Sequence, residues 1–137
     1  GSSDYSAQLA ASLGLPYVFA NHFAGSGLER ALQLYRDQYR PSEGHPSPRT
    51  FVTANIVAAP TAEEAEARAL PQLRMMVRLR TNQSLTPLET VEDAQSAAPL
   101  APMADEIMAA ARATWFVGTG DEVAAGLADL AARAGVD

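Results

Sequence analysis

The spacing of hydrophobic positions changes several times along the chain, and each change marks an element. Ser2, Ser3 and Asp4 are residue types that cap helix amides, and Tyr5 to Leu13 follow with apolar residues at helical spacing. A helix is expected there, with Gly14 as its left-handed stop. Leu15-Pro16 turns the chain into Tyr17-Val18-Phe19-Ala20, a continuous apolar run that reads as a parallel strand buried on both faces. Asn21 to Gly27 reads as a loop. Leu28, Ala31, Leu32, Tyr35 and Tyr39 then draw one stripe of a second helix.

Residues 40–49, RPSEGHPSPR, are punctuated by prolines and read as loop. Phe51 to Ala58, FVTANIVA, is rich in β-branched residues and is the best strand in the sequence. Thr61 and Glu64 have the spacing of a capping box, and Pro71 predicts a kink or a break in the helix that follows. Residues 82–102 are polar, interrupted by proline and poorly periodic; a long segment of that kind is expected to be a lid or to lack structure. A helix is expected around Met103 to Thr114, then the short apolar run Trp115-Phe116-Val117. Thr119 and Glu122 repeat the capping-box spacing ahead of a last helix with Val123, Leu127, Leu130, Ala131 and Ala134 on one face and Gly135 as its stop.

The alternation of helix and strand implies parallel strands joined by right-handed crossovers, an α/β fold. Two good strands cannot cover their own edges. The first helix has no strand before it, and Gly135-Val136-Asp137 stops where another strand is expected, so the chain reads as a part of something larger.

Composition narrows the functions. With 137 residues, 47% of them hydrophobic, the chain is one domain's length and can build a core. A net charge of −6 and scattered arginines argue against nucleic acid. No apolar run is long enough for a membrane span and no signal-peptide pattern is present, so a cytoplasmic location is expected. The absence of cysteine removes thiolate chemistry and disulfides.

Two stretches carry candidate chemistry. Gly1, Ser2, Ser3 and Ser6 surround a helix start whose free amides and dipole favour an anion, although the same residues also make an ordinary N-cap, or a cloning remnant. Asn21 and His22 follow the end of a strand, where ligand sites form in α/β folds; a loop histidine bonded to backbone fits as well. His45, between glycine and proline, is expected to face solvent. The histidines are too far apart, and too poor in acidic partners, for a metal site. No nucleophile elbow, P-loop or dinucleotide fingerprint is present, and catalytic residues cannot be named. Met75, Met76 and Trp115 are expected in the core.

Taken in succession, GSSDYSAQLAASLGLPYVFANHF, RPSEGHPSPRTFVTANIVAAPTAEEAE, LPQLRMMVRLRTNQ and WFVGTGDEVAAGLADLAARAGVD resemble the C-terminal part of luciferase-like flavin-dependent monooxygenases. The resemblance spans the whole chain. It implies the C-terminal part of a (β/α)8 TIM barrel, incomplete, with 17–20 as sixth strand, 51–58 as seventh, 82–102 as a mobile insertion over the active site, and an end just before the eighth strand. It also implies reduced FMN, or the deazaflavin F420, acting with molecular oxygen on a small organic substrate. Gly1, Ser2, Ser3 and Ser6 would then bind the flavin phosphate, and Asn21 and His22 would face the flavin or substrate. A homodimer or a flavin reductase partner fits the same picture. The isolated chain would be inactive if the missing strands complete the pocket. The alternative is a non-catalytic interaction module of the same fold, and a phosphate-sugar enzyme on another barrel stands further behind.

Overall fold

A computed structural model of the chain describes residues 1–24 and 26–136. Gly25, within the expected loop 21–27, and Asp137, at the expected stop, lie outside the described residues. In chain order the elements are α1 (Asp4–Ser12), β1 (Tyr17–Phe19), α2 (Asn21–Ala24), α3 (Leu28–Gln38), β2 (Thr50–Val52), β3 (Ile56–Ala58), α4 (Ala62–Arg80), α5 (Val91–Ser96), α6 (Ala104–Arg112), β4 (Phe116–Gly118) and α7 (Gly120–Ala134). They fall into two compact units, Gly1–Ala54 with Leu127–Asp137, and Asn55–Gly126.

In the first unit β1 and β2 run parallel, with Tyr17 opposite Thr50, Val18 opposite Phe51 and Phe19 opposite Val52. Ala7 and Ala11 of α1 are small enough to let α3 close on them, and with Tyr17, Phe19, Ala31, Leu32, Tyr35 and Ala134 they form the core. Phe19 and Leu32 are fully buried, and each contributes about 2 kcal/mol by leaving water. Tyr35 stacks on Tyr17 at 5.4 Å and donates its hydroxyl to the Leu15 carbonyl at 2.8 Å, so its polar tip is satisfied. Arg36 donates to the carbonyls of Ala134 and Gly135 at 2.7 and 2.6 Å, a cation at the negative end of α7.

The expectation that residues 17–20 are buried on both faces is corrected. Tyr17 and Phe19 point into the core, whereas Val18 is 43% and its register partner Phe51 38% exposed. Side chains alternate along a strand, and in this unit the core residues of α1, α3 and α7 lie with Tyr17 and Phe19.

In the second unit β3 and β4 are parallel, Ile56 opposite Phe116 and Val57 opposite Val117. The run 51–58, expected as one strand, is therefore two. The Thr53 amide bonds to the Phe19 carbonyl at 3.1 Å, ending the ladder with β1, and the Asn55 carbonyl accepts from Phe116 at 3.0 Å, opening the ladder with β4. Each half follows a different hydrogen-bonding neighbour, with Thr53, Ala54 and Asn55 between. The short apolar run expected at 115–117 contributes to β4, a parallel partner of β3, and α7 follows it.

Of the kink or break expected at Pro71, the break is absent: helix α4 runs through it as one helix. Ala69, Leu73 and Met76, on both sides of the proline, pack with Trp115, and that shared core offsets the lost backbone hydrogen bond. Thr61 caps α4 by accepting from the Glu64 amide at 3.1 Å, but the Glu64 side chain turns to Arg68 at 2.6 Å, leaving half of the expected box. The box at Thr119 and Glu122 is complete, with the Glu122 carboxylate accepting from the Thr119 amide at 2.8 Å. Arg112 joins α6, α4 and β4: it donates to both oxygens of Glu66 and to the carbonyls of Trp115 and Val117.

Candidate functional site

The candidate site lies wholly in the first unit, at the C-terminal edge of the β1–β2 sheet. Gly1 runs beside β1: its nitrogen donates to the Val18 carbonyl and its own carbonyl accepts from Ala20, both at 2.7 Å. Two bonds from one residue to positions flanking Phe19 are the pattern of a parallel ladder. A Cβ on Gly1 would lie 2.1 Å from the Ser6 hydroxyl, so glycine is what lets this backbone pass so close to α1.

Beyond Gly1 the chain leaves the edge and enters α1. Ser3 is the N-cap, its hydroxyl accepting from the Ser6 amide at 3.3 Å. Ser6 reciprocates, its hydroxyl accepting from the Ser3 amide at 3.2 Å and donating to the Ser3 carbonyl at 2.7 Å. The Tyr17 hydroxyl stands 3.1 Å from the Ser6 oxygen and ties the box to the strand. Ser3 and Ser6 are thus committed to holding the turn. The amides of Asp4 and Tyr5, at the first two helical positions, have no acceptor among the described residues. Ser2 beside them is exposed, and the Asp4 carboxylate is paired with Arg30 at 2.8 Å. Two amides, an exposed hydroxyl and a nearby guanidinium form a donor set suited to an anion.

At the same edge, Asn21 and His22 open the short helix α2 directly after β1, in place of the expected loop. Nδ1 of His22 lies 2.5 Å from the hydroxyl of Thr53, the residue directly after β2. The Thr53 hydroxyl also lies 3.4 Å from the Phe19 carbonyl. Thr53 is the member of this cluster that sequence reasoning missed. The signal was the pair of polar residues Thr53 and Asn55 inside an apolar run, absorbed into the strand. His45 belongs elsewhere. It sits in the loop leading into β2, at the opposite edge from His22, half-buried rather than solvent-facing, with its carbonyl accepting from Tyr39 at 2.7 Å.

In the second unit residues 82–102, expected to be a lid or to lack structure, contain α5, capped by Thr90, and are hydrogen-bonded to α4. Arg74, 6% exposed, donates to both oxygens of Glu89 and to the Ala98 carbonyl, and Gln83 donates to the Leu100 carbonyl at 3.1 Å. Hydrogen bonding from Arg74 holds the Glu89 carboxyl below its ordinary value, burial opposes this more weakly, and the charges of Arg74 and Arg78 add to it. Met76 and Trp115 are core residues, as expected. No described helix is long and apolar enough to cross a membrane.

Against known proteins, the family model for luciferase-like monooxygenase matches residues 1–137. A luciferase-like monooxygenase of Escherichia coli K12 is 43% identical over 95 residues, covering 67% of this chain and 28% of its own. The uncharacterized protein YvbT of Bacillus subtilis 168 is 35% identical over 133 residues, covering 95% of this chain and 38% of its own. Among solved structures, apo-MsnO8 superposes with a TM-score of 0.81 at 26% identity, over 99% of this chain and 41% of that one. The chain thus spans well under half the length of these relatives.

Proposed function

The chain belongs to the luciferase-like monooxygenase family, and from that premise we propose that it forms the phosphate-binding and part of the substrate-facing side of a flavin-dependent monooxygenase. The observation that carries the reading is the mouth of α1, where the amides of Asp4 and Tyr5 meet the positive end of the helix dipole. Gly1, Ser2, Ser3 and Ser6 make the turn: Gly1 allows the close approach, Ser3 and Ser6 hold it rigid, and Ser2 adds a hydroxyl donor. A rigid turn keeps the two amides aimed at one point and avoids an ordering cost on binding. Arg30, beside Asp4, offsets the one negative charge in the mouth.

FMN is the proposed cofactor, with F420 as the alternative, and it supplies the redox chemistry when bound, passing reducing equivalents to molecular oxygen for attack on a small organic substrate. Asn21 and His22, on the strand edge where ligands gather in parallel sheets, face the flavin or the substrate. A lid role for 82–102 rests on the family pattern alone. A second reading, a non-catalytic interaction module, is favoured by the uncovered Val18 and Phe51.

Titration of FMN with the protein tests the proposal. Saturable quenching of flavin fluorescence, competed by inorganic phosphate, is expected, and Ser3→Ala should weaken it roughly five- to tenfold through loss of the cap. Unaltered flavin fluorescence at high protein concentration would overturn the flavin reading.

A further inference from the structure

The second unit contains a partly open cavity of about 180 Å³ between α4, α5 and α6. Leu70, Arg74 and Val77 line it from one face of α4, at positions i, i+4 and i+7. The facing wall carries Ala94, Ala97 and Ala104, and these short side chains leave the space open. Packed interiors hold few voids larger than one water, so a space of this size calls for a reason. Most of the lining is apolar, and water there finds side-chain partners only at Arg74 and Asp105.

Arg74 is the polar group set into this wall. It is 6% exposed, and a guanidinium carries five N–H donors. Nε donates to one oxygen of Glu89 at 2.6 Å, Nη1 donates to the Ala98 carbonyl at 3.2 Å, and Nη2 reaches the other Glu89 oxygen at 3.4 Å. Three contacts from five donors leave two N–H without an acceptor among the described residues. Buried donors left over in this way favour a ligand that accepts from them.

We propose that this cavity is a ligand site of its own, taking a neutral molecule of about six to eight non-hydrogen atoms with an apolar body and one ketone-like oxygen that accepts from Arg74. Volume sets the size: an aliphatic cavity of roughly 150 Å³ takes a six-carbon ring. Charge sets the neutrality. Glu89 already meets the charge of Arg74, and the Asp105 carboxylate in the lining repels an anion. A cation would meet the Arg74 guanidinium instead. The apolar body covers Leu70, Val77 and Met108, and burying that surface drives binding. Ala94 and Ala97 belong to the segment 82–102, so an occupant also bridges that segment to α4. The site stands independently of the flavin reading.

Cyclohexanone, a ring ketone of this size, is the probe. Titrated into the chain and followed by amide NMR, it should give saturable shifts centred on Ala94, Ala104 and Met108, with a Kd of roughly millimolar order. Cyclohexanecarboxylate, similar in bulk but charged, should bind at least about tenfold more weakly. The carbonyl carbon-13 of the bound, labelled ketone should lie downfield, where hydrogen-bonded carbonyls resonate. Ala94→Leu fills the space from a buried position, and Ala97→Phe covers it from an exposed one. Each should weaken binding by about tenfold or more, with the circular dichroism spectrum preserved. Shifts scattered without saturation, a carboxylate that binds as well as the ketone, or a carbonyl resonance like that in hydrocarbon solvent would overturn the proposal. So would undiminished binding in whichever variant keeps its fold.

Discussion

At Gly14 the backbone turns with φ of 62°, and the amides of Gly14 and Leu15 bond back to the carbonyls of Ala11 and Ala10 at 3.2 and 3.0 Å. This paired closure is the Schellman end of α1. A side chain would meet two obstacles, the left-handed conformation and a Cβ position 2.5 Å from the Arg40 carbonyl. Gly14→Ala is therefore expected to destabilise the chain by roughly 1 to 3 kcal/mol, read as a lower urea midpoint with unchanged slope. The need for glycine there was legible from its place after a helical run. Thr53 was not legible, because its place at the site depends on a histidine 31 positions earlier that only strand pairing brings within reach.

Elements are held by a few ion pairs whose worth depends on burial. The Arg74–Glu89 pair joins α4 to the segment before α5, and its side chains are 7% and 21% exposed. Removing one partner strands a charge that is largely out of water. Arg74→Met is expected to cost about 2 to 3 kcal/mol, with Glu89 partly rescued by its exposure and by Arg78 at 3.5 Å. Arg133, paired with Asp129 and Glu29 on the surface, should by contrast matter little; Arg133→Ala is expected to leave the thermal melting midpoint essentially unchanged. The pH dependence follows from direction. The folded carboxyl of Glu89 titrates below its ordinary value of 4.5, so its contribution is complete above that value and is lost as pH falls through the lowered one. Glu66, lowered mainly by hydrogen bonding from Arg112, acts in the same direction. Thermal melts should show the unmodified chain losing more stability than Glu89→Gln between pH 5 and about 3.

Over the whole molecule, each unit taken by itself leaves apolar sheet residues uncovered beside a packed core. Val18 and Phe51, paired across the β1–β2 register, both expose much of their surface, and Ile56 of β3 is 51% exposed. Such faces bind apolar dyes. The Val18→Thr, Phe51→Thr double variant should bind less of the dye ANS than the unmodified chain, with the circular dichroism spectrum preserved. Equal dye binding would place the accessible apolar surface elsewhere. Spanning 41% of apo-MsnO8 at a TM-score of 0.81, the chain keeps the strand–helix order of a partial barrel.

Local chemistry by itself determined the longer helices, several of their caps and stops and the parallel class of the strands, and the succession of motifs carried the family resemblance. Serine or threonine before a helical stripe and glycine after one act over four or five residues and leave their mark in the order of letters. Tertiary structure alone decided the rest: the division of 51–58 between two ladders, the unbroken α4 through Pro71, the latch of 82–102 by Arg74, and the meeting of His22 with Thr53. Each of these depends on which distant backbone or side chain completes a hydrogen bond or a core. Periodicity shows that a residue needs a partner; chain folding chooses the partner.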